Sequence, residues 1–274
     1  MAYGAGAFHD PKNPVVARKL GPSQNRCLRY ITGAFKDTPT KNLEIEAFCP
    51  PLDLYFDKRL ADFESRLEKT GMRQKIISAC AVIAIALRNR RHRPCPTKSF
   101  DHSRWAKSWI QRWAPNEITE NNPEKPSTVA LKRAWEARWN LKPRRPQSDP
   151  QSRASDLAAG QAFNQEGLLA LHKGLKKAQS LALVQARTGK IGLQAYLFHR
   201  HILKADTDQC PCRNGVQTPE HLFINCTDKK SASLRALGLT TNNSVRQALS
   251  STNIALKLAK LLLESGWLPY FNTA

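Results

Sequence analysis

The chain has 274 residues, of which 43 are Lys or Arg and 22 are Asp or Glu, for a formal net charge of +21. That excess goes beyond what solubility requires and points to a polyanionic partner, most simply RNA or DNA, with an anionic membrane surface as the rival. Hydrophobic residues make up 41% of the chain, enough for a core, so wholesale disorder is excluded.

Residues 1–14 carry neither a basic n-region nor an apolar h-region. The longest apolar stretch, residues 79–87, is too short to span a bilayer. A soluble protein without a membrane partner is expected, nuclear with a cytoplasmic pool. Seven cysteines are present, an odd number, and Cys27, Cys49, Cys80 and Cys95 are scattered. A reducing compartment fits this better than a disulfide framework.

Residues 1–95 read as a small helical bundle. Val16, Leu20, Gln24, Cys27, Leu28 and Ile31 follow helical spacing, with a kink expected at Gly21-Pro22. Thr38-Pro39 reads as a cap with proline at the first helical position, and Pro50-Pro51 as the end of that short helix. Phe56, Leu60, Phe63 and Leu67 mark an amphipathic helix that Thr70-Gly71 stops. Met72, Ile76, Cys80, Ile83 and Leu87 mark another.

Residues 96–165 are rich in Pro, Arg, Asn and Ser and read as a flexible basic linker. Two helical islands interrupt it, one with Trp105, Trp109 and Trp113, the other with Trp135 and Trp139. Trp105, Trp109 and Trp113 recur every four residues among Arg104, Lys107 and Arg112. Such a stripe could stack unpaired bases, but helical aromatic stripes usually pack into a core, which is the reading preferred for both islands.

Residues 166–230 read as basic helices followed by a Cys/His cluster. Leu168, Leu171, Leu175, Ala178 and Ala182 form one face of a helix, with Lys173, Lys176, Lys177 and Ser180 opposite. A second helix is expected over 192–202. Residues 231–274 close the chain with helices, the last presenting Ile254, Leu258, Leu261 and Leu262 on one face. Strand signals are weak throughout and no fixed-period repeat is present. The expected fold class is mainly α: a small helical bundle, a flexible linker, then a helical segment with a CCHC zinc knuckle.

Cys210, Cys212, His221 and Cys226 follow the pattern C-x-C-x8-H-x4-C. Three thiolates and one imidazole suffice for a closed tetrahedral Zn²⁺ site. Arg213-Asn214-Gly215 reads as a turn between the first two ligands and the rest. Thr218-Pro219-Glu220 reads as a helix start that puts His221 in the first turn and Cys226 further along. Four protein ligands leave no open position, so the expected cofactor is structural zinc that contributes to folding. The competing reading is ordinary buried cysteines beside a chance histidine; C-x-C is a less common spacing than C-x-x-C.

Residues 70–116 contain ten Lys or Arg and one acid, Asp101. The centre of this run is Arg88, Arg90, Arg91 and Arg93. Residues 167–205 contain seven Lys or Arg and no acid. Two such runs beside a knuckle suit phosphate-backbone binding, which is salt-sensitive and mostly independent of sequence. A solvated face, or a nuclear localisation signal for the first run, is the plainer alternative. Candidate phosphate contacts are Arg88, Arg90, Arg91, Arg93, Lys173, Lys176, Lys177, Arg187, Lys190 and Arg200. No catalytic residue is proposed. Two-metal polymerases need aspartates brought together at the metals, and no Asp-Asp pair occurs anywhere in the chain.

Several segments carry a family resemblance. Tyr3-Gly-Ala-Gly6, then residues 24–34 (Gln24-Asn-Arg-Cys-Leu-Arg-Tyr-Ile-Thr-Gly-Ala34), Thr38-Pro39, Leu43-Glu-Ile-Glu-Ala47 and Pro50-Pro-Leu-Asp53, resemble the thumb-like segment after the palm of fungal-type non-LTR (LINE-like) retrotransposon reverse transcriptases. Arg187-Thr-Gly-Lys-Ile-Gly-Leu-Gln-Ala-Tyr196 before the Cys/His cluster is similar to the approach to their C-terminal CCHC knuckle. Leu261-Leu-Leu-Glu-Ser-Gly-Trp-Leu-Pro-Tyr-Phe271 is similar to their terminus. The resemblance extends over about two-thirds of the chain, with these segments in the family's order; residues 96–165 show nothing beyond composition. The resemblance implies a parent enzyme that makes DNA on an RNA template, with the knuckle holding template or target. The palm and its catalytic aspartates are not in this chain, so polymerase activity is not expected from it alone. An intact element reverse transcriptase is a candidate partner in trans, and a decayed or repurposed helical module is the alternative function.

Overall fold

The computed structural model of the protein describes residues 9–76, 78–79, 102–115, 124–141, 165–202 and 205–271. The fold is mainly α: every regular element among the described residues is a helix, with one isolated antiparallel bridge between Gln209 and Val216. None of these helices is long and apolar enough to cross a membrane.

The chain forms two compact units whose boundaries differ from those suggested by composition. The first comprises residues 1–24 and 50–141, the second residues 25–49 and 142–274. Helix α1 (Val15–Thr32) begins in the first and continues into the second. It is one uninterrupted helix with Pro22 inside it, so the expected kink does not divide it, although Pro22 offers no N–H to the Arg18 carbonyl one turn back.

In the first unit, α3 (Leu52–Lys69) packs against both α4 (His102–Trp113) and α5 (Pro126–Asn140), and these two pack on each other. Helix α3 starts after Pro51 and ends at Thr70, where Gly71 takes a left-handed φ of +65° that a side-chain-bearing residue adopts only with strain. Its buried face is Leu54, Phe56, Leu60 and Ala61. Ala106 and Trp109 of α4 and Ala130, Leu131, Ala134 and Trp135 of α5 complete the core. The alanines let the helices approach closely while the two indoles fill the remaining space. Ala17 of α1 joins Phe56, with Val16, Leu20, Leu52 and Tyr55 packed around the pair.

Residues 96–165 therefore are not simply a linker. Both tryptophan islands are helices and supply two of the three helices of this core, and Trp105 stacks on Trp109 at 5.8 Å between centroids. Composition misled because the apolar content sits in Trp and Ala, diluted by surface Arg and Lys. Met72 and Ile76, expected on a buried face, are 50% and 41% exposed.

The acids of α3 are matched by neighbouring groups. Arg138 donates to both carboxylate oxygens of Asp53, at 2.9 and 2.6 Å. Burial opposes the charged form of Asp53, yet this guanidinium wins and holds its carboxyl below the usual range. Asp62 accepts from Ser127 at 2.5 Å and from Lys58 at 2.8 Å. Asp57 meets His9 at 2.7 Å.

In the second unit, α2 (Thr40–Glu46) follows Pro39, which itself occupies the cap position. Thr38, expected to cap, is buried instead, and its backbone carbonyl accepts from Arg29. The single helix expected through Leu168 and Ala182 is two: α6 (Gln165–His172) and α7 (Lys177–Thr188). Gly174, with φ +84°, breaks them apart. The expected helix over 192–202 is shorter, α8 (Gln194–His199). After α9 (Pro219–Ile224), a 3₁₀ turn (Lys229–Ser231) and α10 (Ala232–Arg235) lead to α11 (Asn242–Ser250) and α12 (Thr252–Glu264).

Helix α12 is the hub, packed against α6, α7, α10 and α11. Leu258 and Leu262 are buried as expected, joined by Ala255 and Ala259; Ile254 is turned outward and 40% exposed. Hydrogen bonds tie distant segments together. Gln185 donates to the Gly33 carbonyl at 2.8 Å and accepts from the Tyr270 hydroxyl at 2.7 Å. That hydroxyl accepts from the Gly192 N–H at 3.2 Å. Gly192 is needed here, because a Cβ would lie 2.6 Å from the Tyr270 ring.

Candidate metal centre and basic surface

The Cys/His cluster is built on a tight loop and a capped helix. Gln209 and Val216 pair across the loop. Cys210 N–H donates to the Gly215 carbonyl, and Arg213 N–H to the Cys210 carbonyl, each at 2.8 Å. Arg213 (φ +62°) and Gly215 (φ +144°) supply the reversal, which is the turn expected from Arg213-Asn214-Gly215. The Asn214 amide then reaches Thr227 Oγ1 at 3.1 Å and pins the loop to the segment beyond Cys226.

Helix α9 begins as the Thr218-Pro219-Glu220 run implies. Thr218 is the N-cap and accepts from the His221 N–H at 3.3 Å, while Pro219 sits at the first position, where a missing N–H costs nothing. Leu222 and Phe223 are fully buried and anchor the helix. Cys226, expected on the helix, lies just past its end; its N–H donates to the His221 carbonyl at 2.8 Å. The helix and the return of the chain thus deliver His221 and Cys226 to one point.

The donor atoms of Cys210, Cys212, His221 and Cys226 all lie within 4.8 Å of one another, and together they could hold a metal ion. Cys210 Sγ and Cys226 Sγ are 3.6 Å apart, and Cys212 Sγ is 3.1 Å from His221 Nε2. Cys210, His221 and Cys226 are buried and Cys212 half-buried. His221 Nδ1 faces Gly215, where a Cβ would stand only 3.4 Å away.

Electrostatics separates the thiols. Burial, together with the nearby Cys226, pushes the Cys210 thiol up to about 12. At Cys212 desolvation acts the same way but is outweighed by the Asn214 N–H, Cys210, His221 and the Thr227 backbone, which hold it at about 6. A cation at the centre is what would let all three ionise together.

The candidate phosphate contacts divide. Arg88, Arg90, Arg91 and Arg93 lie outside the described residues. Lys173, Lys176 and Lys177 are exposed and bracket the start of α7. Lys190 is half-buried just beyond that helix's C-cap, Gly189. Arg200 is exposed and ion-paired with Asp37, which also accepts from the Tyr196 hydroxyl.

Arg187 is not a surface contact. Its side chain is 1% exposed, its Nε donates to both Glu46 oxygens at 2.9 and 3.0 Å, and its Nη1 donates to the Leu249 carbonyl at 2.6 Å. A guanidinium so enclosed binds the core and not a phosphate. The partner, Glu46, falls in a segment the sequence marks only by resemblance, and a pairing across 141 positions has no local signal.

Gln217 has no sequence signal and Gln194 only the resemblance: the Gln194 N–H donates to Gln217 Oε1 at 2.7 Å, linking α8 to the loop beside the cluster. Compared with protein-family models, with curated proteins and with solved structures, the chain gives no match in any of the three.

Proposed function

We propose that the chain is a nucleic-acid-binding portion of a non-LTR retrotransposon reverse transcriptase, without a polymerase centre of its own. In this reading it holds RNA template or target DNA through a basic helical surface and a structural zinc knuckle. The observation that carries it is the convergence of Cys210, Cys212, His221 and Cys226 within 4.8 Å, directly after an acid-free basic stretch.

Zinc is the metal that suits three thiolates and an imidazole, being tetrahedral and indifferent to redox state. At Zn–S distances of about 2.3 Å, the sulfur–sulfur edge of a tetrahedron is about 3.8 Å, close to the 3.6 Å between Cys210 and Cys226. Four ligands close the site to substrate, so the metal folds the segment and does no hydrolysis. The order of the resembling segments, thumb-like block first and knuckle after, supports the parent enzyme. Lys173, Lys176 and Lys177 supply unmatched charge for phosphates.

The test is metal content of the purified chain together with binding of labelled RNA and DNA across a salt series. One zinc per chain, lost in Cys212→Ser, with affinity that falls steeply as salt rises, is expected. A folded wild-type chain without zinc removes the knuckle, and a chain that binds neither RNA nor DNA leaves the repurposed helical module as the better account.

A further inference from the structure

The most exposed large hydrophobic side chain among the described residues lies on α1. Tyr30 is 83% exposed and the adjacent Ile31 64% exposed. Such exposure of an aromatic ring on a well-formed helix is not explained by packing, since Leu28 on the inward face is already buried. The surroundings of Tyr30 are cationic. Lys177 Nζ lies 5.8 Å from the ring centroid. Arg26, one turn earlier on the same face, is exposed, as are Lys173 and Lys176 beside the start of α7. No acid among the described residues pairs with Arg26, Lys173, Lys176 or Lys177.

Granting the nucleic-acid role proposed above, on which this rests, we infer that Tyr30 is a stacking platform for an unpaired base, with Lys177, Lys176 and Lys173 holding the flanking phosphates. An aromatic ring beside unmatched cations is complementary to a nucleotide strand in both of its parts, the flat base and the charged backbone. A purely apolar partner would leave the lysines desolvated without counter-charge, which is costly. Bases in the middle of a duplex already have both faces covered by their neighbours, so only an unpaired or terminal base can reach the ring. The patch therefore selects single strands, a preference that the lysines alone would not give. The sequence marks Tyr30 only as part of the resembling segment 24–34; its exposure between the buried Leu28 and Thr32 is seen in the structure alone.

The test uses the full chain, metal-loaded, with a fluorescent single strand and a blunt duplex of equal length, read by anisotropy. Tyr30→Ala should weaken single-strand binding by about tenfold, weaken duplex binding far less, because only the two end pairs of a duplex can reach the ring, and keep the slope of log affinity against log salt, because stacking releases no counterion. Tyr30→Trp should restore single-strand affinity. Lys177→Ala should weaken both ligands and flatten the single-strand slope by about 0.7. Because Tyr30 is exposed, melting of Tyr30→Ala should match wild type. Unchanged single-strand affinity in Tyr30→Ala, with wild type binding well, overturns the platform and leaves the broader proposal standing. Equal losses on strand and duplex also overturn it, as does a loss of self-association in place of a loss of strand binding. Failure of the wild-type chain to bind any nucleic acid overturns both.

Discussion

Arg187 and Glu46 face each other with 1% of either side chain exposed. Removing two charges from water costs several kcal/mol per ion, and their attraction returns that cost only while both are present and hydrogen-bonded. Arg187→Met leaves the Glu46 carboxylate buried beside a hydrocarbon and takes a donor from the Leu249 carbonyl. The expected loss is about 3–5 kcal/mol, read as a lower urea midpoint with an unchanged slope. Arg187→Met with Glu46→Leu should recover most of it, leaving about 1 kcal/mol for the unpaired Leu249 carbonyl. A double variant as unstable as the single one would show that the pair is not the coupled unit described. At this scale the sequence was legible in type and not in partner. The four cluster residues declare themselves by spacing alone because they lie within 17 positions. Arg187 looks like any basic residue in a basic run, since what buries it comes from Glu46 and from Leu249.

Elements were legible where their ends carry chemistry of their own. The start of α9 is an example: a threonine that can accept, a proline whose missing N–H is harmless, and a glutamate near the positive end of the helix. Helix α3 similarly follows from Pro51 and Gly71. The α6–α7 break was not legible, because Leu171, Leu175 and Ala178 keep helical spacing across Gly174, and only the left-handed φ there reveals the interruption. Cys226 was misplaced for a related reason, since spacing cannot say at which residue a short helix stops. The cap itself can be tested. Thr218→Ala removes the acceptor for the His221 N–H, which should cost about 1 kcal/mol and free the ligand-bearing turn. Both the melting temperature of the metal-loaded chain and its metal affinity should fall, and Thr218→Ser should restore both. A variant that loses stability while retaining full metal affinity would separate the cap from the positioning of His221.

At the scale of the whole molecule, the two units differ in what holds them. The first has a three-helix core of its own, with Trp109, Trp135 and Leu60 buried and the acids of α3 matched by Arg138, Ser127 and Lys58. Its extent was illegible from composition, because residues 102–141, which pack on residues 50–69, fall inside the stretch that reads as linker. The second unit contains a stretch, residues 208–217, with a turn, one bridge and few apolar side chains. That loop is secured by Asn214 to Thr227, by Gln217 to Gln194, and by the cluster. These two hydrogen bonds and the three backbone bonds within the loop, at about 1 kcal/mol each, do not outweigh the chain entropy of ordering ten residues, at about 1–2 kcal/mol per residue; a bound metal can. Chelation should therefore open the loop without melting the rest. In hydrogen exchange, the Cys210 and Arg213 amides, protected by the loop's own bonds, should lose protection first. Amides of α3 and α5 should exchange at unchanged rates. The buried Leu222 and Phe223, with Trp267 bonded to Ser231 at 3.0 Å, should hold α9 partly in place, so its amides should respond less than those of the loop. Loss of protection spread evenly over both units would mean that the metal stabilises the fold as a whole, and unchanged protection at Cys210 and Arg213 would mean that the loop stands without it.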